Sequence, residues 1–171
     1  MRELFVLAVL TAISAHASDF RAVDIGGPCT TVTDWELARG SSLVPRKAPG
    51  MENYAFRVRE FDRTVLATYV CINGKLFTGN YSFPVEGSSQ VASSYRAAYT
   101  ELVAQFGEPS SSDVPWKGAD NGVPVLIQAS GFMTTWTTER LAVVLSIMPN
   151  RPTEAEGWRV FIVVGGQRTR N

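Results

Sequence analysis

The sequence has very little histidine, because its single residue of this type is His16, within an apolar N-terminal stretch. If that stretch is removed on export, no histidine remains. This excludes Ser-His-Asp and Cys-His catalysis, and it excludes metal sites built on imidazole. A pair of carboxylates is still sufficient for glycoside hydrolysis, so a histidine-free carboxylate hydrolase stays open as an alternative.

Cysteine is also scarce, with Cys29 and Cys71 as the only two. In an oxidising compartment the simplest expectation is one disulfide between them. Closing a loop of roughly forty residues would contribute ~4 kcal/mol in the chain-entropy treatment. A redox pair is the alternative, but such pairs normally have closely spaced cysteines.

Long hydrophobic runs are absent, and the longest is the ten-residue run Leu4–Ile13. That run is too short to span a bilayer, and it is followed by Ala15-His16-Ala17, a typical cleavage site for signal peptidase. We therefore expect residues 1–17 to be a signal peptide and the mature protein to be periplasmic or secreted. The alternative is an N-terminal helix of the core. No later segment predicts a membrane span.

An excess of charge of either sign is lacking as well, since 16 Lys and Arg balance 16 Asp and Glu. A neutral chain gives no indication of a nucleic-acid partner. No glycine-rich phosphate loop follows a predicted strand, and Asp120-Asn121-Gly122 lacks the alternating oxygen ligands of a calcium loop. We expect neither a cofactor nor a metal.

What the sequence does contain is one strong helix signal, from Ser88 to Pro109. Its apolar residues recur at spacings of three and four, which predicts an amphipathic helix that packs on a sheet: Tyr95, Ala98, Tyr99, Leu102, Val103 and Phe106. Gly107 is suited to end the helix, and Pro109 cannot continue it.

Strand signals lie on both sides of this helix. Tyr54, Phe56 and Val58 alternate with polar residues, and Asn73-Gly74 predicts a tight hairpin. A short helix near Trp35 precedes the first strands. The order is short helix, loop, three strands, then long helix, loop, three strands. We expect a single α+β domain over 18–171, with an antiparallel meander sheet, two helices and two halves, 18–87 and 88–171.

Five residues are candidates for binding. Trp136 is surrounded by threonines, so its strand is predicted to be too polar for full burial, and an exposed Trp is a typical interface anchor. Arg57 and Arg59 share one face of the first long strand. Arg46 and Lys47 lie in a loop that we expect to border the same face.

The pattern resembles a family of small secreted bacterial proteins. It is carried by Phe20–Gly26, by Asn73-Gly74-Lys75-Leu76, and by Tyr99, Leu102 and Phe106-Gly107-x-Pro109. Modules of one helix and three strands of this kind resemble the outer-membrane assembly lipoproteins of the SmpA/BamE type and the β-lactamase inhibitor protein. The chain lacks the lipoproteins' anchor cysteine, and it has a possible disulfide that distinguishes it from the inhibitor.

The resemblance implies binding rather than catalysis. We expect a non-catalytic protein-binding module whose partner is an envelope component or a foreign enzyme. A structural envelope protein without a discrete site is the main alternative, and fold likeness alone does not decide between them.

Overall fold

The computed structural model describes residues 19–21, 23–45, 52–85, 88–112, 133–149 and 157–167. The predicted signal peptide, Arg46, Lys47 and the Asp120-Asn121-Gly122 turn lie outside these ranges. The first run of elements is α1 (Val32–Ala38), β1 (Ser42–Leu43), β2 (Glu52–Glu60), β3 (Arg63–Ile72) and β4 (Lys75–Val85). The second is α2 (Ser88–Phe106), β5 (Ser111–Ser112), β6 (Met133–Thr137), β7 (Leu141–Pro149) and β8 (Trp158–Gly166).

All eight described strands belong to one antiparallel sheet, in the order β1-β2-β3-β4-β8-β7-β6-β5. Each run forms a meander, and the two meanders join where β4 pairs with β8. From either edge inward, the strands of one run therefore follow in chain order, and the two-residue strands β1 and β5 are outermost. The predicted combination of an antiparallel sheet and two helices is confirmed in the described residues, although the sheet dominates.

The predicted long helix is confirmed as α2. Its inward residues Tyr95, Ala98 and Leu102 are buried, while Tyr99 and Phe106 are partly buried against the core. The helix ends at Gly107, which has φ +79° and donates its backbone N–H to the Val103 carbonyl oxygen. This is the left-handed termination that glycine favours.

The tight hairpin is also confirmed, because Asn73 and Gly74 both have positive φ, at 53° and 71°. This turn sets the register in which Ile72 faces Lys75. The register then shifts at Val70/Cys71, so that Phe77 lies opposite no residue of β3. This bulge leaves the Phe77 side chain 51 % exposed instead of on the apolar face of β4.

Both helices lie on one face of the sheet, the covered face. Alternate residues of the long strands on this face form the core with the helices; those of the central strands include Val65, Ala67, Tyr69, Phe83, Val143, Leu145, Ile147, Val160 and Ile162. Tyr95 of α2 bonds Thr134 of β6 across this core, at 2.6 Å between the two hydroxyl oxygens.

The segment before α1 is fixed to the same face. The Phe20 ring occupies the space that a Cβ at position 79 would need, so Gly79 is required for this close approach. Cys29 and Cys71 form the predicted disulfide, with Cα atoms 6.5 Å apart, which ties the start of α1 to β3. The N-terminal part of the described chain is thus anchored both by packing and by a covalent bond.

Candidate functional site

The face of the sheet opposite the helices is the open face, and no described helix covers it. It presents the alternate strand residues that face away from the core. Side chains of medium size occupy its centre and are half-buried: Leu66, Val70, Val144, Phe161 and Val163. Its ends carry exposed side chains, among them Ile72, Met133 and Met148, which are about half exposed. Exposed apolar side chains contribute to an interaction surface where they adjoin one another or a cavity, as Ile72 does here.

Two of the five residues predicted for binding lie on this face. Arg57 and Arg59 are both exposed. They face outward because the neighbouring residues of the strand, Phe56 and Val58, point into the core. Arg59 is opposite Thr64, and Arg57 is opposite Leu66. The structure therefore brings together the two arginines that the sequence placed on one face.

The predicted placement of Trp136 is wrong. Trp136 is only 1 % exposed and lies on the covered face, with its ring centroid 5.7 Å from that of Tyr99. Its indole N–H donates to the Gly107 carbonyl oxygen at 2.8 Å. Because its polar group is satisfied inside the protein, Trp136 is a core residue that locks the end of α2 to β6.

A cavity of about 370 Å³ lies at the hairpin end of the sheet, where Ile72, Lys75 and Thr78 of the open face meet Ile25 and Leu76 of the covered side. Its lining is mostly apolar and includes Ile25, Ile72, Leu76 and Phe77, with Lys75 beside them. Gly165 and Gly166 also line it and add no side chain that would fill it. Its volume falls within the ~300–1,000 Å³ typical of ligand pockets. Sequence analysis missed this cavity because the bulge that exposes Phe77 has no local sequence signal.

A buried ion cluster lies on the covered face, between the N-terminal segment and the sheet. Arg21 binds both carboxylate oxygens of Glu36, through Nε at 2.7 Å and Nη2 at 3.1 Å. Arg21 also contacts the Glu60 carboxylate. Ser41 donates to Glu36 at 2.6 Å, and the Tyr69 hydroxyl donates to it as well. Glu36 is fully buried, so a surface position for this acid on α1 is excluded.

The electrostatics of this cluster favour its charged form. Burial by itself would raise the pKa of Glu36, but the hydrogen bonds from Arg21, Ser41 and Tyr69 outweigh it and lower that pKa below its usual value. Burial by itself would lower the pKa of Arg21, and the bonded Glu36 carboxylate raises it above its usual value. Both groups are therefore ionised at neutral pH, which makes the cluster a structural ion pair.

A second, smaller cavity next to this cluster contains carboxylates. It measures about 110 Å³ and is lined by Asp19, Glu60 and Glu101, among other residues. Partial burial, and then the negative charges of Asp62 and Glu60, raise the pKa of Glu101. This volume is below the range of ordinary ligand pockets, and Glu60 is already bound by Arg21. The geometry gives no support to hydrolysis of a sugar ring at this position.

Within the described ranges, no three His, Cys, Asp or Glu side chains form a group that could hold a metal ion. No helix in the described part of the chain is both long and apolar enough to cross a membrane. The chain matches no protein-family model, no curated protein and no solved structure. Any functional conclusion must therefore rest on the geometry of the site.

Proposed function

We propose that this protein is a non-catalytic protein-binding module that acts outside the cytoplasm, in the periplasm or after secretion, through its open face. The observation that carries the proposal is the contrast between the two faces of the sheet. One face is fully used by the helices and the core. The other presents Arg57 and Arg59 together with large exposed apolar side chains.

Three features support this over catalysis or a purely structural role. Arginine and large apolar residues are the types that dominate interface energetics. The larger cavity is lined in part by residues of the same face, whereas the carboxylate cavity is small. The disulfide supports the location, because such bonds persist in oxidising compartments. The partner class is that expected from the sequence, an envelope component or a foreign enzyme.

The experiment is position-specific photo-crosslinking in the native host. A photoreactive amino acid replaces Arg57 or Met148 on the open face, and, as matched controls, Arg96 or Gln105, which are exposed on α2. We expect a discrete crosslinked protein from the open-face positions only. Equal crosslinking from α2, or no crosslink from the open face, would contradict the proposal.

A further inference from the structure

The open face carries charge of only one sign in the described strands. Its charged residues are Arg57, Arg59, Lys75 and Arg159, and no described strand places an Asp or Glu side chain on this face. The acids of the long strands, Glu52 and Glu60, are in register with the covered face. In the described long strands, the acidic side chains therefore lie on the covered side only.

Arg57 and Arg59 lie at the end of this face away from the apolar cavity, whereas Lys75 lines the cavity itself. Arg59 is opposite Thr64 at the start of β3, and Ile72 at the end of β3 lines the cavity. Eight residues of extended chain separate these two positions on β3, which corresponds to ~26 Å. In the described strands, the centre between them carries uncharged side chains, among them Leu66, Thr68 and Val70 of β3. A single partner surface must therefore satisfy both ends at once.

We propose that the partner is a protein whose contact surface places carboxylates against Arg57 and Arg59 and inserts one large apolar side chain into the cavity beside Phe77. This inference rests on the proposed function and specifies the partner's chemistry. Charge complementarity determines the occupant at one end, because an acidic patch is attracted to two exposed arginines whose face carries no acid in the described strands. Shape determines it at the other end, because a cavity of about 370 Å³ readily holds an aromatic or aliphatic side chain.

A nucleic acid satisfies only half of this arrangement. Phosphates pair with arginine, but the cavity is lined by Ile25, Ile72, Leu76 and Phe77, which offer little hydrogen bonding to a base edge. Acidic residues and one apolar anchor on the same surface are a combination that proteins supply routinely. The partner is therefore a protein, and the test below also measures nucleic-acid binding.

The test is a selection from a display library of random peptides about sixteen residues long, twice the length that spans the face in extended form. We expect enriched peptides to contain an acidic cluster and, about eight residues away, one Phe, Trp, Leu or Met. Synthetic copies should lose affinity at least about tenfold with Arg57→Glu/Arg59→Glu, and by a similar factor with Phe77→Ser. Arg96→Glu and Leu37→Ser are the matched controls, because both residues are similarly exposed but lie on the helices.

The outcomes separate this inference from the proposed function. Peptides that need the open face but are neutral or basic, or that tolerate charge reversal, would overturn the inference and leave the proposed function intact. Peptides insensitive to every open-face variant, or a library with no enrichment, would overturn both. If a single-stranded RNA oligonucleotide bound through Arg57 and Arg59, and Phe77→Ser did not change its affinity, the inference that the partner is a protein would be overturned.

Discussion

Replacing Glu36 by Gln should destabilise the protein more than replacing any exposed charged residue, because Glu36 is the centre of the buried ion cluster. The variant keeps the size of the side chain and removes its charge. Arg21 is then left with 8 % of its side chain exposed, without its bidentate partner and with only Glu60 as a charged neighbour among the ion pairs of the described residues. Removing one partner of a buried pair typically costs ~3–5 kcal/mol. Since total stability is ~5–15 kcal/mol, this is a large fraction of it.

The pH dependence has a defined sign. The folded-state pKa of Glu36 lies below its unfolded value of about 4.3, so the contribution of this carboxylate to stability is fully present above that value. It is lost as the pH falls through the lowered folded pKa, because the proton then binds the folded state as well. The stability difference between the native sequence and Glu36→Gln should therefore be largest near neutral pH and shrink in acid.

Urea unfolding of the native sequence, Glu36→Gln, Arg21→Met and the double variant measures both effects. The double variant should lose less than the sum of the single losses, because neither charge is then left alone. Ser41→Ala, which removes only one donor to Glu36, is a milder variant that should cost ~1.5–3 kcal/mol and remain folded. Additive single effects, or a stability difference that is constant with pH, would refute the coupling.

Two further predictions concern the anchoring of the covered face. Trp136→Ala should destabilise by ~3–5 kcal/mol, because Trp136 is buried against Tyr99, whereas Arg96→Ala should cost ~0.5 kcal/mol or less; similar thermal midpoints for both variants would contradict the core position of Trp136. Replacing Cys29 and Cys71 by Ser should lower the free energy of unfolding by ~2–5 kcal/mol. Thiol labelling of the unsubstituted protein, unfolded without a reducing agent, should find no free thiol, and two labelled cysteines would refute the bond.

Local signals account for the parts of the fold that the sequence predicts well. The spacing of Tyr95, Leu102 and Phe106 determines the inward side of α2 without reference to any other element. Asn73-Gly74 determines a hairpin for the same reason, since both residues tolerate positive φ. The disulfide follows from counting, because two cysteines allow one pairing. Each of these inferences needs only residues that are near in sequence or unique.

The assignment of polar and aromatic residues to the open or the covered face was harder to predict, because it depends on partners that are distant in sequence. Trp136 looked exposed because threonines flank it, but Thr134 is buried and bonded to Tyr95, 39 residues earlier. Glu36 is buried although it is charged, because Arg21 reaches it from 15 residues earlier. A sequence pattern shows that a side chain is polar but not which residue it bonds. A strand residue on the covered face can therefore be predicted wrongly to lie on the open face.

The anchoring of the N-terminal segment has a direct consequence for the cavity at the hairpin end of the sheet. Ile25 and Gly26 form one wall of that cavity. The chain on one side of them is held by Phe20 against Gly79 and by Arg21 in the ion cluster, and on the other side by the disulfide of Cys29. The Gly26 N–H also donates to the Leu76 carbonyl oxygen at 2.7 Å, which fixes this wall to β4. A wall held on both sides loses little conformational entropy when a side chain enters, so the interactions that stabilise the covered face also pre-organise the cavity.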